Sequence, residues 1–240
     1  AWLYAWGIIV LFILLGPTLF NTVIAPFFNK FTPLEDGDLK QTIENFAVKV
    51  DFPLSRIDVM DGSRRSTKSN AYFSGFGKRK RIALYDTLME KHSTQEMLTI
   101  LAHEVGHFKK KHILKGIIIS IIHFGVVFYL LSLFIDNSGL FAAFKMANIS
   151  VYAGLTFFFI LYSPIEMLLS VIMNFISRKN EYEADAFAAE TTGAGEHLIT
   201  GLKKLSVANL GNLTPHPFAV FLNYSHPPVL ERIKAIRKIA

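Results

Sequence analysis

The sequence contains no cysteine. This absence excludes disulfide bonds, thiolate metal ligands and cysteine nucleophiles, so any zinc ion would need histidine and carboxylate ligands. Charged residues are missing from positions 1–28. The chain also begins without methionine, without a basic start and without a clear cleavage site, so it does not resemble a signal peptide. We expect a fragment or a processed product.

The composition indicates a protein that contacts a membrane and not nucleic acid. Apolar residues make up 51% of the 240 residues, and the formal net charge is +6. A positive charge could indicate a nucleic-acid partner, but the lysines and arginines flank apolar runs, as they do beside anionic lipid headgroups. We therefore predict a lipid bilayer as the partner, and no nucleic acid.

Three apolar runs are long enough to cross a bilayer as helices. Tryptophan and tyrosine side chains crowd one end of the first run, as interfacial aromatic residues do. Gly16-Pro17 suggests a kink in this run, and a buried helix of a soluble core is the alternative interpretation. The predicted spans cover residues 1–28, 113–135 and 150–176.

Lysines and arginines are unevenly distributed among the connecting segments. They are abundant after the first span, before the second and after the third, whereas the loop between the second and third spans has only Lys145 as a cation. The positive-inside rule therefore places residues 29–112 and 177–240 on the cytoplasmic side. An endoplasmic-reticulum membrane and a bacterial inner membrane both fit.

The polar segments predict a small sheet and several helices. Ile57 and Val59 alternate with polar residues as in a short strand, and the segment that begins NAYF predicts a hairpin with Ile82 and Leu84 on its buried face. The basic cluster at residues 78–81 is interpreted as a solvated turn, with lipid headgroups as the alternative contact. Amphipathic helices are predicted at about 37–50, 181–191, 195–207 and 227–239.

The motif HEVGH carries the strongest chemical signal in the chain. Ser93 and Glu96 form a capping box that predicts the start of its helix. Four-residue spacing puts His103 and His107 on one helical face, where a single metal ion can bind both, and Glu104 beside them is free to hold a metal-bound water. The alternative is a polar helix with two histidines at this spacing by chance. The helix could continue directly into the second span.

A catalytic zinc ion needs a third protein ligand, and Glu181 is the leading candidate. Glu181 and Asp185 face one way on the helix that leaves the third span, although capping and dipole compensation are the alternative for such a cluster. His107 lies about 9 Å of helix rise before Ile113, and Glu181 lies about 7.5 Å after Ile176. If the second and third spans are antiparallel neighbours, His107 and Glu181 lie at similar heights. Whichever of the two carboxylates does not bind zinc could orient a ligand histidine.

Several motifs together resemble the Ste24-type CAAX prenyl proteases 1, membrane zinc peptidases of family M48. They are HEVGH, the E-x-x-x-D pattern that continues as AFA, the segment SNAY, and SHPP followed by Glu231-Arg232. The resemblance implies a mainly α-helical integral membrane protein with a zincin-like α+β catalytic region. The expected regions are spans at 1–28, 113–135 and 150–176, and catalytic segments at 29–112 and 177–240.

The resemblance also implies a zinc centre with one Zn2+ per chain. His103, His107 and Glu181 would bind the metal, and Glu104 would act as the general base. Family members have more spans than the three visible here. The missing helices would have to come from an upstream segment or from another chain.

Further roles come from the resemblance alone. Asp185 would support a ligand histidine, and Arg232 would neutralise nearby carboxylates. His226 would steady the oxyanion, although its own context, a loop beside two prolines, indicates an ordinary structural histidine. Asn70, on an edge strand, and the adjacent Ala71 would bind the substrate backbone.

Four other ionisable residues have weaker signals. His112 and His216 are predicted to be surface histidines. His123 and Glu166 lie at similar depth in the second and third spans, and we hypothesise that they approach each other or line a polar cavity. A locally hydrated carboxylate near Pro164 is the alternative.

The sequence therefore predicts an integral-membrane zinc endopeptidase. The family resemblance implies hydrolysis of peptide bonds near the C-terminus of prenylated C-a-a-X proteins. A quality-control protease of the HtpX type, with broad specificity, is the second hypothesis, and a catalytically idle membrane scaffold or chaperone is the third.

Overall fold

The computed structural model describes residues 1–68, 70–75 and 79–239. The chain forms two compact units, residues 1–17 with 113–173, and residues 18–112 with 174–240. The α-helices in the described residues are α1 (Trp2–Leu19), α2 (Ala25–Phe28), α3 (Asp38–Lys49), α4 (Asp86–Lys91), α5 (Thr94–Lys109), α6 (His112–Phe134), α7 (Ser138–Ala143), α8 (Val151–Thr192), α9 (Gly195–Ala208), α10 (Pro217–Asn223) and α11 (Val229–Ile236).

Within the described residues, three helical segments are long and apolar enough to cross a membrane, as predicted. They are Trp2–Phe28, His112–Phe134 and Val151–Thr192. The first stays helical through Pro17 and contains a π-helical turn at Phe20–Ile24. The third predicted span and the predicted helix at 181–191 are parts of the single helix α8.

Polar side chains link the helices of the first unit. Trp6 Nε1 donates to the carbonyl oxygen of Ile121 at 2.9 Å, so the indole N–H has a partner. His123 Nε2 lies 3.1 Å from the hydroxyl of Tyr162 and 3.1 Å from Glu166 Oε2. The hypothesis that His123 and Glu166 approach each other is confirmed.

The second unit contains a four-stranded sheet in the order β1-β2-β4-β3. Strands β2 and β4 are parallel, and the other two pairs are antiparallel. The predicted hairpin is β3–β4, with Ile82 and Leu84 buried, although Gly77 and Lys78 of its turn lie outside the described residues. The strands are β1 (Phe31–Pro33), β2 (Leu54–Met60), β3 (Ala71–Ser74) and β4 (Lys80–Tyr85).

The basic cluster of the hairpin is not simply a solvated turn, so that prediction is wrong for two of its members. Arg81 forms an ion pair with Asp58, which is fully buried in β2. Lys80 lies 5.0 Å from the ring centroid of Phe108 and donates to the Gly75 carbonyl oxygen at 2.8 Å. A buried carboxylate needs a cation beside it, and the neighbouring strand supplies Arg81.

Helix α5 is buried between two apolar clusters. Met97 and Leu101 pack in a cluster that includes Leu84 of the sheet. Ala102 and Val105 pack in a second cluster with residues of the helices that follow. Because both sides of α5 are covered, the motif it carries has little freedom to move.

The chain does not continue as one helix from α5 into α6. Helix α5 ends at Lys109, and Lys111 adopts a left-handed φ of 59° before α6 starts at His112. The prediction of helices near 195–207 and 227–239 is confirmed by α9 and α11, whereas α4, α7 and α10 were not predicted.

Candidate metal centre

The helix that carries the motif begins at a capping box. The Ser93 N–H donates to Glu96 Oε2 at 2.9 Å, and the Glu96 N–H donates to Ser93 Oγ at 3.3 Å. These bonds satisfy N–H groups that the first helical turn leaves unpaired. The predicted capping box is confirmed, and it fixes where His103 and His107 fall along α5.

Three potential metal ligands converge between α5 and α8. The Nε2 atoms of His103 and His107 are 3.2 Å apart. Glu181 Oε2 lies 3.5 Å from His103 Nε2, and Glu181 Oε1 lies 3.3 Å from His107 Nε2. One ligand atom from each residue lies within 4.8 Å of the others. The structure therefore brings the three predicted ligands together.

The chemistry of this donor set fits zinc. Two imidazole nitrogens and one carboxylate are the ligands of many catalytic zinc sites, which keep one position open. His103, His107 and Glu181 all line one cavity of about 340 Å³, so their donor atoms can be reached from it.

Glycine within the motif allows α5 and α8 to approach closely. A Cβ atom at Gly106 would lie 3.1 Å from Ala184 Cα and 3.2 Å from the Ala184 carbonyl oxygen. A side chain there would push the two backbones apart, and with them His107 and Glu181. Gly106 has no role that its sequence context predicts, because the close approach depends on a helix far along the chain.

Asp185 and Arg232 support His103. Asp185 Oδ1 lies 2.9 Å from His103 Nδ1. Arg232 donates to both oxygens of Asp185, from Nε at 2.7 Å and from Nη2 at 2.6 Å. Burial alone lowers the pKa of His103, but its bonds to Asp185 and Glu181 raise it to about 9. Burial raises the pKa of Asp185, and the stronger effect of Arg232 and His103 holds it below its ordinary value.

The pKa values of the two glutamates of the site shift in opposite directions. Glu181 is buried, which favours the neutral form, but hydrogen bonds with His103 and His107 and the charge of Arg232 lower its pKa. Arg232 Nη1 lies 3.2 Å from Glu181 Oε2. Glu104 lines the cavity, and burial raises its pKa despite the nearby cations. Glu181 is thus held ionised, whereas Glu104 binds a proton more readily than an ordinary glutamate.

The predicted substrate-binding residues also line the cavity. Ala71 is the first residue of β3, which lies at the edge of the sheet, and Asn70 directly precedes it. The Asn70 carbonyl oxygen accepts the Tyr85 N–H at 3.1 Å, and its Oδ1 accepts the Ala71 N–H at 2.9 Å. Asn70 thus lies directly before the edge strand and not within it.

His226 approaches the ligand set from an exposed loop. Its Nε2 atom lies 3.5 Å from Glu181 Oε1, although 66% of the side chain is exposed. Its Nδ1 atom lies 3.0 Å from Ser225 Oγ. The structure therefore brings His226 to the predicted site, with one ring nitrogen close to Glu181, a predicted metal ligand.

The prediction that His112 is a surface histidine is wrong. It is buried, its Nδ1 atom lies 3.1 Å from His107 Nδ1, and its Nε2 atom lies 3.1 Å from Glu183 Oε2. The sequence indicates this contact only through the five-residue spacing of His112 from His107. The spacing does not predict the contact, because the helix breaks before His112. His216 is exposed, as predicted, and its Nδ1 accepts the Phe218 N–H at 3.2 Å.

Known proteins resemble this chain over nearly its whole length. Residues 33–240 match the sequence profile of Peptidase family M48. The CAAX prenyl protease 1 of Saccharomyces cerevisiae is 38% identical over 252 residues, which cover 97% of this chain and 55% of that protein. The CAAX prenyl protease 1 homolog of Homo sapiens is 36% identical over 274 residues, which cover 98% and 58%.

A solved structure is similar in fold as well. The crystal structure of S. mikatae Ste24p matches with a TM-score of 0.88 and 37% sequence identity, over 98% of this chain and 58% of that one. The chain therefore spans a little over half the length of the relatives that it matches.

Proposed function

We propose that this chain is the catalytic part of a membrane zinc endopeptidase. The chain belongs to peptidase family M48. The family predicted from the sequence motifs is confirmed by the profile match over residues 33–240. The single observation that carries the proposal is the convergence of His103, His107 and Glu181 on one cavity.

His103, His107 and Glu181 would hold the zinc ion, as the geometry of their donor atoms supports. Zinc bound there would polarise a peptide carbonyl and lower the pKa of a water molecule. Glu104 takes a proton from the attacking water and later gives it to the leaving amine. Its raised pKa suits this exchange, because a general base works best when its pKa approaches the working pH.

Other residues of the cavity would position the substrate. His226 is exposed and flanks Glu181, so it can donate a hydrogen bond to the oxyanion that develops on the substrate carbonyl. An extended peptide would add to the edge strand β3 next to Asn70 and Ala71. Main-chain hydrogen bonds would then supply much of the binding, with weak side-chain selectivity.

The expected substrates are prenylated proteins that end in a C-a-a-X sequence. The proposal follows the names of the relatives, CAAX prenyl protease 1, at 36–38% identity. Three membrane-spanning candidates support a substrate tethered to the bilayer by its lipid. The lysines and arginines of the connecting segments favour a cytoplasmic location for the segments that carry the catalytic residues.

A cleavage assay tests the proposal. The chain in detergent micelles or vesicles is given a farnesylated C-a-a-X peptide and the same peptide without the lipid, with and without a zinc chelator. We expect zinc-dependent cleavage with a preference for the lipidated peptide. Equal cleavage of both peptides would favour the broad quality-control protease. An absence of bound zinc and of cleavage would favour the scaffold.

A further inference from the structure

We propose that His112 and Glu183 are positioning residues for the metal ligand His107. They form a hydrogen-bond chain that starts at His107 Nδ1, continues through the ring of His112 and ends at Glu183 Oε2. The inference rests on the proposed zinc centre. It adds to that centre a support for His107, beside the one that Asp185 gives to His103.

The positions of the protons in this chain follow from the geometry. Nε2 of His107 faces His103 and Glu181. This atom can bind a metal ion only when it carries no proton. A neutral His107 then has its proton on Nδ1, and that N–H donates to Nδ1 of His112. His112 accepts at Nδ1 only when its own proton is on Nε2, from which it donates to Glu183 Oε2. Each bond of the chain therefore favours the tautomer of His107 that can bind zinc.

The two ligand histidines thus have different kinds of support. His103 donates directly to the carboxylate of Asp185, at 2.9 Å. His107 reaches its carboxylate, Glu183, through an intervening imidazole. In both cases the carboxylate belongs to α8, which also supplies Glu181. One helix therefore provides a ligand and both of the anionic supports.

The fold explains why His112 can reach His107. The chain turns at Lys111, whose left-handed φ of 59° ends one helix and lets the next start at His112. Only 4% of the His112 side chain is exposed, so its hydrogen bonds are protected from water. Glu183 is 35% exposed and lies 3.8 Å from Lys179. The hydrogen-bond chain thus extends from the partly buried His107 to a partly exposed carboxylate, whose charge water can help to stabilise.

Loss of this support should weaken zinc binding. Partners that orient ligand histidines typically contribute about 10-fold to 100-fold in metal affinity. We expect His112→Phe, which keeps an aromatic ring and removes both hydrogen bonds, to raise the zinc dissociation constant by about 10-fold to 100-fold. His112→Asn places an amide oxygen near the original Nδ1 and should retain most of the affinity.

The order of these two variants separates positioning from packing. A packing role predicts that the ring of Phe preserves zinc affinity better than the smaller Asn, the reverse of our expectation. The zinc dissociation constant is measured for the whole chain in micelles by competition with a chromogenic chelator. His197→Asn, at an exposed position of α9, is the matched control and should bind zinc as the wild type does.

Glu183→Gln provides a second test if His112→Phe does not fold. Gln keeps an acceptor oxygen and loses the charge, so we expect a loss of about 10-fold, the lower end of the range for such partners, and none for Glu190→Gln, at an exposed position of the same helix. Unchanged affinity in His112→Phe, or in Glu183→Gln where His112→Phe does not fold, would overturn the inference and leave the zinc centre intact. A wild-type chain that binds no zinc would overturn both.

Discussion

Histidine and carboxylate side chains meet in two regions of this molecule, with different results. In the first unit His123 and Glu166 approach to 3.1 Å, and in the second unit His103 and Asp185 approach to 2.9 Å. The side chain of Glu166 is 47% exposed within the described structure, whereas that of Asp185 is 1% exposed. The pair distances are nearly equal, so the pairing itself does not distinguish the two regions.

Burial and the number of converging groups make the difference. Asp185 is bound by Arg232 through two hydrogen bonds, and Arg232 also reaches Glu181. An ionised carboxylate in a dry interior requires such partners, because desolvation otherwise favours the neutral form. The pair of His123 and Glu166 is joined by the hydroxyl of Tyr162, which lies 3.1 Å from His123 Nε2, and no arginine or lysine forms an ion pair with Glu166 among the described residues. The two regions therefore differ in the burial of their carboxylates and in the number of groups that compensate this burial, and not in the histidine–carboxylate distance.

The largest effect is expected at Glu104, the proposed general base, which lines the cavity of the second unit. Glu104→Gln keeps the shape of the side chain and cannot accept a proton, so we expect the rate of peptide cleavage to fall by about 100-fold to 10,000-fold. Zinc content and zinc affinity should not change, because Glu104 is not one of the converging ligands. Both are measured on the same preparation. Retained turnover in a zinc-loaded variant would contradict the proposed mechanism.

Arg232 is expected to have the next largest effect, on stability. Arg232→Leu leaves Asp185 and Glu181 buried without their cation, and removal of one partner from a buried ion pair costs about 3–5 kcal/mol. The free energy of unfolding is measured by denaturant titration of the zinc-free protein. Arg237→Leu is the matched control, because the Arg237 side chain is 58% exposed and lies 3.8 Å from Glu196. A similar small loss in both variants would show that burial is not what distinguishes the metal centre.

Much of this centre could be predicted from local patterns. The i, i+4 spacing of His103 and His107 predicts a shared helical face, and the capping box fixes where that helix begins. Glu181 could be predicted because helix rise converts sequence distance from a span into height. The three spans and the hairpin were predictable for a similar reason, since hydropathy and strand alternation depend on near neighbours.

The remaining features depend on contacts between distant residues. His112 and Glu183 are 71 positions apart, and their contact requires both the left-handed turn at Lys111 and the approach of α8. Asp58 breaks the alternation of its strand because Arg81 lies beside it. Gly106 was not predicted as a close-packing residue, because only the folded chain places Ala184 against it. Tertiary contacts override local propensity at such positions.

The ion pair of Glu96 and Lys204 is intermediate in burial between the two pairs compared above, because the carboxylate is buried and the lysine is half-exposed. Lys204 Nζ donates to Glu96 Oε2 at 2.6 Å, with side-chain exposures of 47% and 6%. Burial alone would raise the pKa of Glu96, but Lys204, the Ser93 N–H and Thr200 lower it from 4.5 to about 2. The folded-state pKa is depressed, so the ionised carboxylate stabilises the fold above pH 4.5 and loses this effect as the pH falls towards 2.

We therefore expect Glu96→Gln to lower the free energy of unfolding by about 1 kcal/mol near neutral pH, because the exposed lysine weakens the pair. The difference from the wild type should shrink as the pH falls below about 4.5 and approach zero near pH 2. Denaturant titrations at several pH values measure it. Glu44→Gln, at an exposed position of α3, should give no such trend. A difference that grows on acidification would mean that the sign of this linkage is wrong.

The smallest effect is expected in the membrane pair. Glu166→Leu removes the carboxylate contact of His123 and leaves the hydroxyl of Tyr162 at 3.1 Å. Polar contacts between membrane helices contribute about 0.6 kcal/mol on average, partly because the separated helices find other partners. We therefore expect a loss of that order in the free energy of unfolding in micelles, with cleavage and zinc affinity unchanged. Tyr162→Phe should behave alike, because it leaves the Glu166 contact. A loss of cleavage in Glu166→Leu, with the fold intact, would show that the exposed pair takes part in the reaction and would end the distinction between the two regions.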